Sequence, residues 1–253
     1  MQREQAYVLG ARIDALTMEE AVGRIVRWSE ARESRYVCIC NVHSVVSTSR
    51  DGAFRAVVND ADMATPDGAP IAWALRKRGH SSQERVAGPD LMWHYLARAE
   101  QSGQSVFLYG STERTLGLLR RNLAAHFPGL RVAGAWSPPF RDLTPEEDEA
   151  EVEMINRSGA HVVFVGLGCP KQEKWMAAHR GRIRAVMVGV GAAFDYHAGV
   201  VRRAPLWWQR NGLEWLYRLA SEPQRLARRY LVTNTLFVIG FLMQALGRDV
   251  RDE

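Results

Sequence analysis

The sequence predicts an α/β fold in which a mainly parallel sheet is flanked by helices and followed by a helical C-terminal appendage. Three observations carry this. Short apolar runs recur at 35–40, 104–110, 161–166 and 185–190, as expected of strands buried on both faces. Between them lie segments of helical length, several opened by a capping residue, and that alternation implies βαβ units. Beyond about residue 200 the pattern changes to aromatic and arginine clusters, then to a run from Leu231 to Leu246 without a charged residue. The economical division is one α/β domain over 1–200 and a basic, aromatic and apolar appendage over 201–253.

A chain of 253 residues can bury one substantial core. Its 47% hydrophobic and 24% charged residues are those of an ordinary globular protein, which excludes a disordered or fibrous class. Lys and Arg exceed Asp and Glu only by 33 to 28, but the excess is unevenly placed. Seven arginines lie between Arg202 and Arg229, against Glu214 and Glu222. That local field points to an anionic partner: a phosphate-bearing ligand, a nucleic acid or an acidic membrane surface. Cys38, Cys40 and Cys169 are an odd, sparse set, which argues against a disulfide framework and for a reducing compartment. All three read as small buried residues. The opening Met1-Gln2-Arg3-Glu4-Gln5 has no apolar run of the kind a cleavable signal needs.

Taken in order, Tyr7-Val8-Leu9-Gly10 through Leu16 reads as a first strand or strand pair. Thr17-Met18-Glu19-Glu20 has capping-box spacing, with Ala21, Ile25, Val26 and Trp28 available to an apolar helix face. The strand from Arg35 to Cys40 ends at Asn41-Val42-His43-Ser44, where polar groups can meet a ligand, and a short helix follows over 51–59. The segment beginning Ala61-Asp62-Met63 leads into Thr65-Pro66-Asp67-Gly68, which is turn chemistry: Pro fixes its φ and Gly tolerates a positive one. Pro70 to Leu75 reads as a helix, and Gly88-Pro89-Asp90 opens another carrying Leu91, Trp93, Tyr95 and Leu96. After the strand that closes at Gly110, Ser111-Thr112 caps a helix running to Phe127. A strand over 130–136, a loop at Pro138-Pro139 and a helix start at Thr144-Pro145-Glu146-Glu147 come next.

Asp67 is the candidate general base, because a carboxylate at a strand exit beside a helix start is where α/β proteins place their chemistry. For an isolated Asp-Gly pair, a simple turn is the plainer reading. Gly166-Leu167-Gly168-Cys169-Pro170-Lys171-Gln172 also follows a strand and opens a helix. There Gly166 and Gly168 allow close backbone approach, free N–H groups favour an anion, Lys171 adds charge and Gln172 a directional hydrogen bond. The stretch is neither a dinucleotide fingerprint nor a P-loop, and a tight turn and a phosphate site both fit it. A second small-residue turn, Gly189 to Asp195, includes Gly191 and also suits backbone placed close to a ligand. Arg85 can hold a diphosphate or orient the Asp67 carboxylate. The histidines form no metal-binding pattern, and no Gly-x-Ser-x-Gly elbow supports a hydrolase triad.

In the appendage, Trp207, Trp208, Trp215 and Tyr217 mix with Arg210, Arg218 and Arg225. The uncharged run after them is shorter than the roughly 17–25 residues of a spanning helix. It fits an interfacial helix beside a basic aromatic collar better than a transmembrane span. A terminal helix packed on the domain or on a sister subunit is the other reading.

Seven landmarks then stand in order: Asn41 after its strand, Asp67-Gly68, Glu84-Arg85-Val86 with Gly88-Pro89-Asp90-Leu91, Phe107 to Gly110, Val165 to Glu173, Gly189 to Asp195, and Arg202-Arg203-Ala204-Pro205. As an ordered set covering nearly the whole chain, they resemble the bacterial WecG/TagA/CpsF glycosyltransferases. The resemblance implies a Rossmann-like α/β fold with a C-terminal membrane-associating appendage. It also implies inverting, metal-independent transfer of a sugar, typically N-acetylmannosamine, from a UDP-sugar donor to a polyprenyl-diphosphate-linked sugar acceptor. Such transfer serves cell-surface polysaccharide or teichoic acid synthesis, by a protein that is cytoplasmic and peripheral at the inner face of the plasma membrane. No cofactor is expected. Asp67 would deprotonate the acceptor hydroxyl, Asn41 and Gln172 would hold the donor, and Arg85 would contact donor or diphosphate. Arg210, Arg218 and Arg225 would contact pyrophosphate, and homo-oligomer formation stays open.

One departure matters. Many members carry Thr two positions before the Asn, where this chain has Ile39. A lost hydroxyl points to a different donor sugar such as glucose, because a site's polar groups set its discrimination. Two rivals from other classes are a nucleotide-binding α/β enzyme such as a dehydrogenase, and a module binding nucleic acid through its arginines. Neither accounts for the Asp67 turn and the tail together, so no nucleic-acid partner is expected.

Overall fold

The apolar runs pair edge to edge. The computed structural model describes residues 4–246, apart from the side chain of Arg225. Strands β1 (Gln5–Val8) and β2 (Ala11–Asp14) form a separate antiparallel pair. Six more make one sheet: β3 (Arg35–Cys40), β4 (Met63–Pro66), β5 (Ser105–Gly110), β6 (Arg131–Trp136), β7 (Val162–Gly166) and β8 (Val186–Gly189). Their order is β4-β3-β8-β7-β5-β6, and every neighbouring pair is parallel. The β1–β2 pair docks beside edge strand β4, where buried Asp14 accepts the Ala64 amide through Oδ2 at 2.7 Å and so satisfies an edge-strand donor.

Both faces of the sheet are covered, which is why its strands read as unbroken apolar runs. Because strand side chains alternate, Tyr36, Cys38 and Cys40 enter one core with Phe107, Val163 and Met187. Val37 and Ile39 enter the other with Val106, Phe164 and Val188. The second face carries α1 (Met18–Glu30), whose Thr17–Glu20 capping box is the one expected from sequence. The first carries α2 (Val42–Arg50), α3 (Gly52–Asn59) and α4 (Ala69–Lys77). Helices α5 (Gly88–Ser102) and α6 (Glu113–His126) return to the second face, and α7 (Pro145–Ser158) and α8 (Lys171–His179) to the first. The short α9 (Ala193–His197) lies on the second. Helices α8 and α9 thus leave adjacent strands β7 and β8 towards opposite faces, opening a crevice at their carboxyl ends.

Helix α2 is absent from the sequence reading, which starts a helix only at Asp51. Its residues, rich in Val, Ser and Thr, have low helix propensity. Burial of Val45 and Val46 supports it, as does a reciprocal cap in which Asn41 Oδ1 accepts the Ser44 amide at 3.2 Å and Ser44 Oγ accepts the Asn41 amide at 3.1 Å.

Close backbone approach builds the crevice floor. Gly110 leaves β5 at φ +111°, and a Cβ there would lie 2.7 Å from the Gly166 backbone of β7. Gly110→Ala is therefore expected to destabilise by roughly 1–3 kcal/mol, from overpacking and a disfavoured φ. Thermal denaturation measures it, and an unchanged midpoint would show that the two strands can separate locally.

The C-terminal segment folds back as α10 (Leu206–Arg210), α11 (Glu214–Ser221) and α12 (Pro223–Ala245). Leu226, Thr233 and Phe237 of α12 are buried, Gln244 Oε1 accepts the Leu9 amide at 3.1 Å, and the Phe241 ring lies 4.9 Å from Trp73. The opposite face is an exposed apolar stripe, with Leu231 73% and Leu242 57% accessible and Val238 and Ile239 beside them. The segment Leu226–Ala245 has a mean hydropathy of 1.2, apolar enough to associate with a membrane. One face of the tail thus packs on the domain, as one sequence reading has it, and the other is apolar and open, which is compatible with the interfacial reading.

Candidate active site

The turns after β3, β4, β5, β7 and β8 converge on one cleft of about 960 Å³, roofed by α11 and α12. At its β4 end stands Asp67. Its amide donates to the Cys40 carbonyl at 2.9 Å, fixing the strand exit, and Gly68 at φ +88° turns the chain into α4. The Asp67 carboxylate makes no hydrogen bond among the described residues. Burial pushes its pKa up to about 6, a rise that Arg85 opposes, Glu214 adds to and Arg218 opposes again. A carboxylate titrating near neutrality, ionised at pH 7 yet unneutralised by a direct partner, is suited to accept a proton.

Cationic groups surround it. Arg85 Nη1 donates to Glu214 Oε2 at 2.5 Å, while Arg203 holds Asp90 through two bonds of 2.5 and 2.7 Å. Cross-contacts of 3.6 Å from Arg203 to Glu214 and 3.8 Å from Arg85 to Asp90 close the set. Two arginines and two carboxylates thus latch α11 to the start of α5. Glu214→Ala would leave Arg85 and Arg203 short of a partner and is expected to cost roughly 1–3 kcal/mol. Hydrogen exchange should show faster exchange in α11; unchanged exchange would mean that packing alone holds the helix.

Several residues that line the cleft carry buried polar atoms. The Nε atoms of Arg218 and Arg229, His43 Nδ1, Tyr196 Oη and Glu173 Oε2 are buried without a hydrogen-bond partner among the described residues. Burial, then the Arg229 charge, hold the His43 imidazole below its ordinary pKa. Arg218 lies 5.6 Å over the Tyr196 ring. Unsatisfied polar groups gathered on residues that line one cavity accord with a site for a polar ligand.

The family follows from a match along almost the entire chain. A family model described as "Glycosyl transferase WecG/TagA/CpsF family" matches residues 6–251. The chain belongs to this family. Membership supports a glycosyltransferase role for the chain, with a nucleotide-sugar donor and a lipid-linked acceptor in general terms.

Most residues singled out in the sequence of this WecG/TagA/CpsF glycosyltransferase meet here. Asn41, Asp67, Arg85, Gly166, Gly168, Gln172, Gly191, Asp195 and Arg218 all line the cleft. Asn41 uses Oδ1 for the α2 cap, which leaves its NH₂ group without a partner among the described residues. Gln172 is 4% exposed and braces the β7 turn: its Oε1 accepts the Gly168 amide at 3.1 Å and its Nε2 donates to Glu173 at 2.9 Å.

Others lie elsewhere. Lys171 opens α8 on its solvent side, exposed and away from the cleft, because the next two residues, Gln172 and Glu173, turn inward. Arg210 ends α10 exposed, likewise outside the lining. The side chain of Arg225 lies outside the described residues. Cys38 and Cys40 are buried as expected, but Cys169 is only partly covered and lines the cleft. Asp60-Ala61-Asp62, an acidic stretch that the sequence reading did not single out, sits at the amino end of β4, away from the carboxyl-end cleft, with Asp62 bridged to Arg35 at 2.7 Å and Arg180 at 2.8 Å.

His43 lines the cleft from the polar stretch the sequence marked after β3, and Glu173, Tyr196, Glu214 and Arg229 line it without having been singled out. For Arg229 the signal was present. Spacings of 3, 4 and 4 join Leu226, Arg229, Thr233 and Phe237 into one inward helix face.

Proposed function

We propose that this protein transfers a sugar, with N-acetylmannosamine the first choice, from a UDP-sugar to a polyprenyl-diphosphate-linked sugar, inverting the anomeric centre. The observation that carries the reading is Asp67: a cleft-lining carboxylate with its pKa pushed up to about 6 by burial, within reach of the charges of Arg85 and Arg218. As the acceptor oxygen bonds to the anomeric carbon, Asp67 takes its proton, and the bond from that carbon to UDP breaks with its electron pair leaving on the diphosphate. General-base help of this kind is typically worth 10²–10⁴-fold. Arg218 and Arg229 supply positive potential for the departing charge. We propose that these groups stand in for a metal and that no cofactor is used.

The α12 stripe and the exposed Trp207 and Trp215 support placement at the inner face of the plasma membrane, where arginines of the appendage meet anionic headgroups. That placement gives the cleft access to a lipid-linked acceptor and suits polysaccharide or teichoic acid synthesis. A second donor, UDP-glucose, is favoured by one observation: Ile39, an apolar side chain, lines the cleft where a hydroxyl would help read an acetamido sugar. The test is UDP release from a panel of UDP-sugars, with a short-chain polyprenyl-diphosphate-linked sugar present or absent and with or without a chelator. Release with one donor, dependent on acceptor and indifferent to chelator, is the expected result. Loss of activity on chelation would overturn metal independence, and silence with every donor would overturn the transferase assignment.

A further inference from the structure

Glu20, Glu147 and Glu173 each stand third in a helix, and the first two are used alike. In α1 and α7 their side chains reach back to the backbone amides of the capping Thr17 and Thr144. In α8 that use is closed, because the residue at the cap is Pro170, whose nitrogen carries no hydrogen. Glu173 is turned inward instead, 1% exposed, and its Oε1 accepts from the Gln172 Nε2 at 2.9 Å. The place is a costly one for an acid. Near it are the thiols of Cys38 and Cys40 from β3 and of Cys169 from the turn before α8, all kept neutral by burial. Burial pushes the Glu173 carboxyl up as well, opposed by Gln172, by its own backbone amide and by the Cys169 thiol. No lysine, arginine or histidine pairs with it among the described residues, and its Oε2 is buried there without a hydrogen-bond partner. An apolar side chain of similar volume would fill this place at less cost to the fold.

What the acid secures is the orientation of Gln172. The two ends of a carboxamide have nearly the same shape and opposite chemistry, so a cleft can use one of them only when its neighbours decide which end is which. Two bonds decide it here: Oε1 takes the Gly168 amide at 3.1 Å, and Nε2 gives a hydrogen to Glu173. Packing holds the amide from the other side. A Cβ on Gly189 would lie 3.0 Å from Nε2, and one on Gly191 3.3 Å from Oε1, so the end of β8 and its turn close against the side chain. Gln172 lines the cleft, and with one N–H spent on Glu173 its second N–H is left for a ligand oxygen. Resting on the UDP-sugar reading above, with Gln172 as a donor contact, we propose that Glu173 is a positioning residue: it sets the Gln172 amide for the nucleotide-sugar donor and touches no substrate itself.

The test is a double-substitution cycle read by calorimetric titration of the full-length protein with UDP. Glu173→Leu, which keeps the volume and removes the acceptor, is expected to weaken UDP binding roughly five- to a hundredfold. In a Gln172→Ala background the same substitution should cost nothing further, because an effect routed through Gln172 is lost only once. Glu173→Gln offers a carbonyl where the carboxyl oxygen stood and should keep UDP affinity within a few-fold of wild type. The melting temperature should not fall in either variant, and a fall that accompanies the loss would overturn the positioning role in favour of support for the fold. UDP affinity unchanged in Glu173→Leu would overturn it outright. Equal losses in the leucine and glutamine variants would overturn it in favour of the charge, and a full loss repeated without Gln172 in favour of a part independent of that amide. A Gln172→Ala variant that binds UDP as wild type does, or a wild-type protein that binds no UDP, would remove the donor reading on which the proposal rests.

Discussion

Asp67→Asn is expected to lower kcat for sugar transfer by roughly 10²–10⁴-fold with little change in UDP affinity, because the amide keeps the shape of the carboxylate but cannot accept the proton. Steady-state kinetics beside UDP titration separate the two effects; weakened UDP binding with unchanged kcat would make Asp67 a binding residue. The pH dependence has a definite sign. Ionised Asp67 is the active form, so wild-type kcat should fall below a pH of about 6, the value set by burial, and level off above it. Stability runs the other way. Folding raises the carboxyl from its ordinary 3.8 to about 6, so the native state gives up stability as pH rises through that interval, on the order of 3 kcal/mol. Asp67→Asn removes the charge and should melt higher than wild type at pH 7.5, with the difference vanishing below pH 4. An inactive, stabilised variant would be the signature of an active-site group kept at a cost to the fold.

Arg218→Ala should carry the next largest loss, about 10²–10³-fold in kcat, the scale for removing one preorganised group from a developing negative charge. Arg218 is held over the Tyr196 ring with its Nε buried and unpaired, and its charge acts on Asp67 from within the same cleft. Arg218→Lys should restore little, because an ammonium offers neither the planar fork nor the ring stacking. Arg210→Ala is the internal contrast: its side chain is exposed and off the cleft, and its removal should leave kcat within a few-fold. Equal losses in the two variants would mean that the basic field of the appendage, and not a positioned guanidinium, does the work.

The sheet was legible because its inner strands are buried on two faces and so announce themselves as apolar runs, and because Thr17, Thr112 and Thr144 cap helices in the expected manner. Asp67 was legible for a related reason: Pro66 and Gly68 mark the turn that presents it. Helix α2 was not, since its Val and Ser residues favour it only once Asn41 caps it and the sheet covers it. The appendage was the least legible part. Which of its arginines face inward depends on how α11 and α12 dock, and the docking rests on pairs distant in sequence, such as Arg85 with Glu214 and Leu9 with Gln244. Charge density alone could not separate Arg218, inside the cleft, from Arg210, outside it.

The most direct measurement follows a radiolabelled sugar from its UDP donor into the polyprenyl-diphosphate-linked product, counted against UDP released in the same reaction. We expect one labelled product per UDP, formed only with acceptor present and suppressed to background by Asp67→Asn. UDP released in the absence of acceptor with no label in the lipid would contradict transfer and leave a hydrolase in its place.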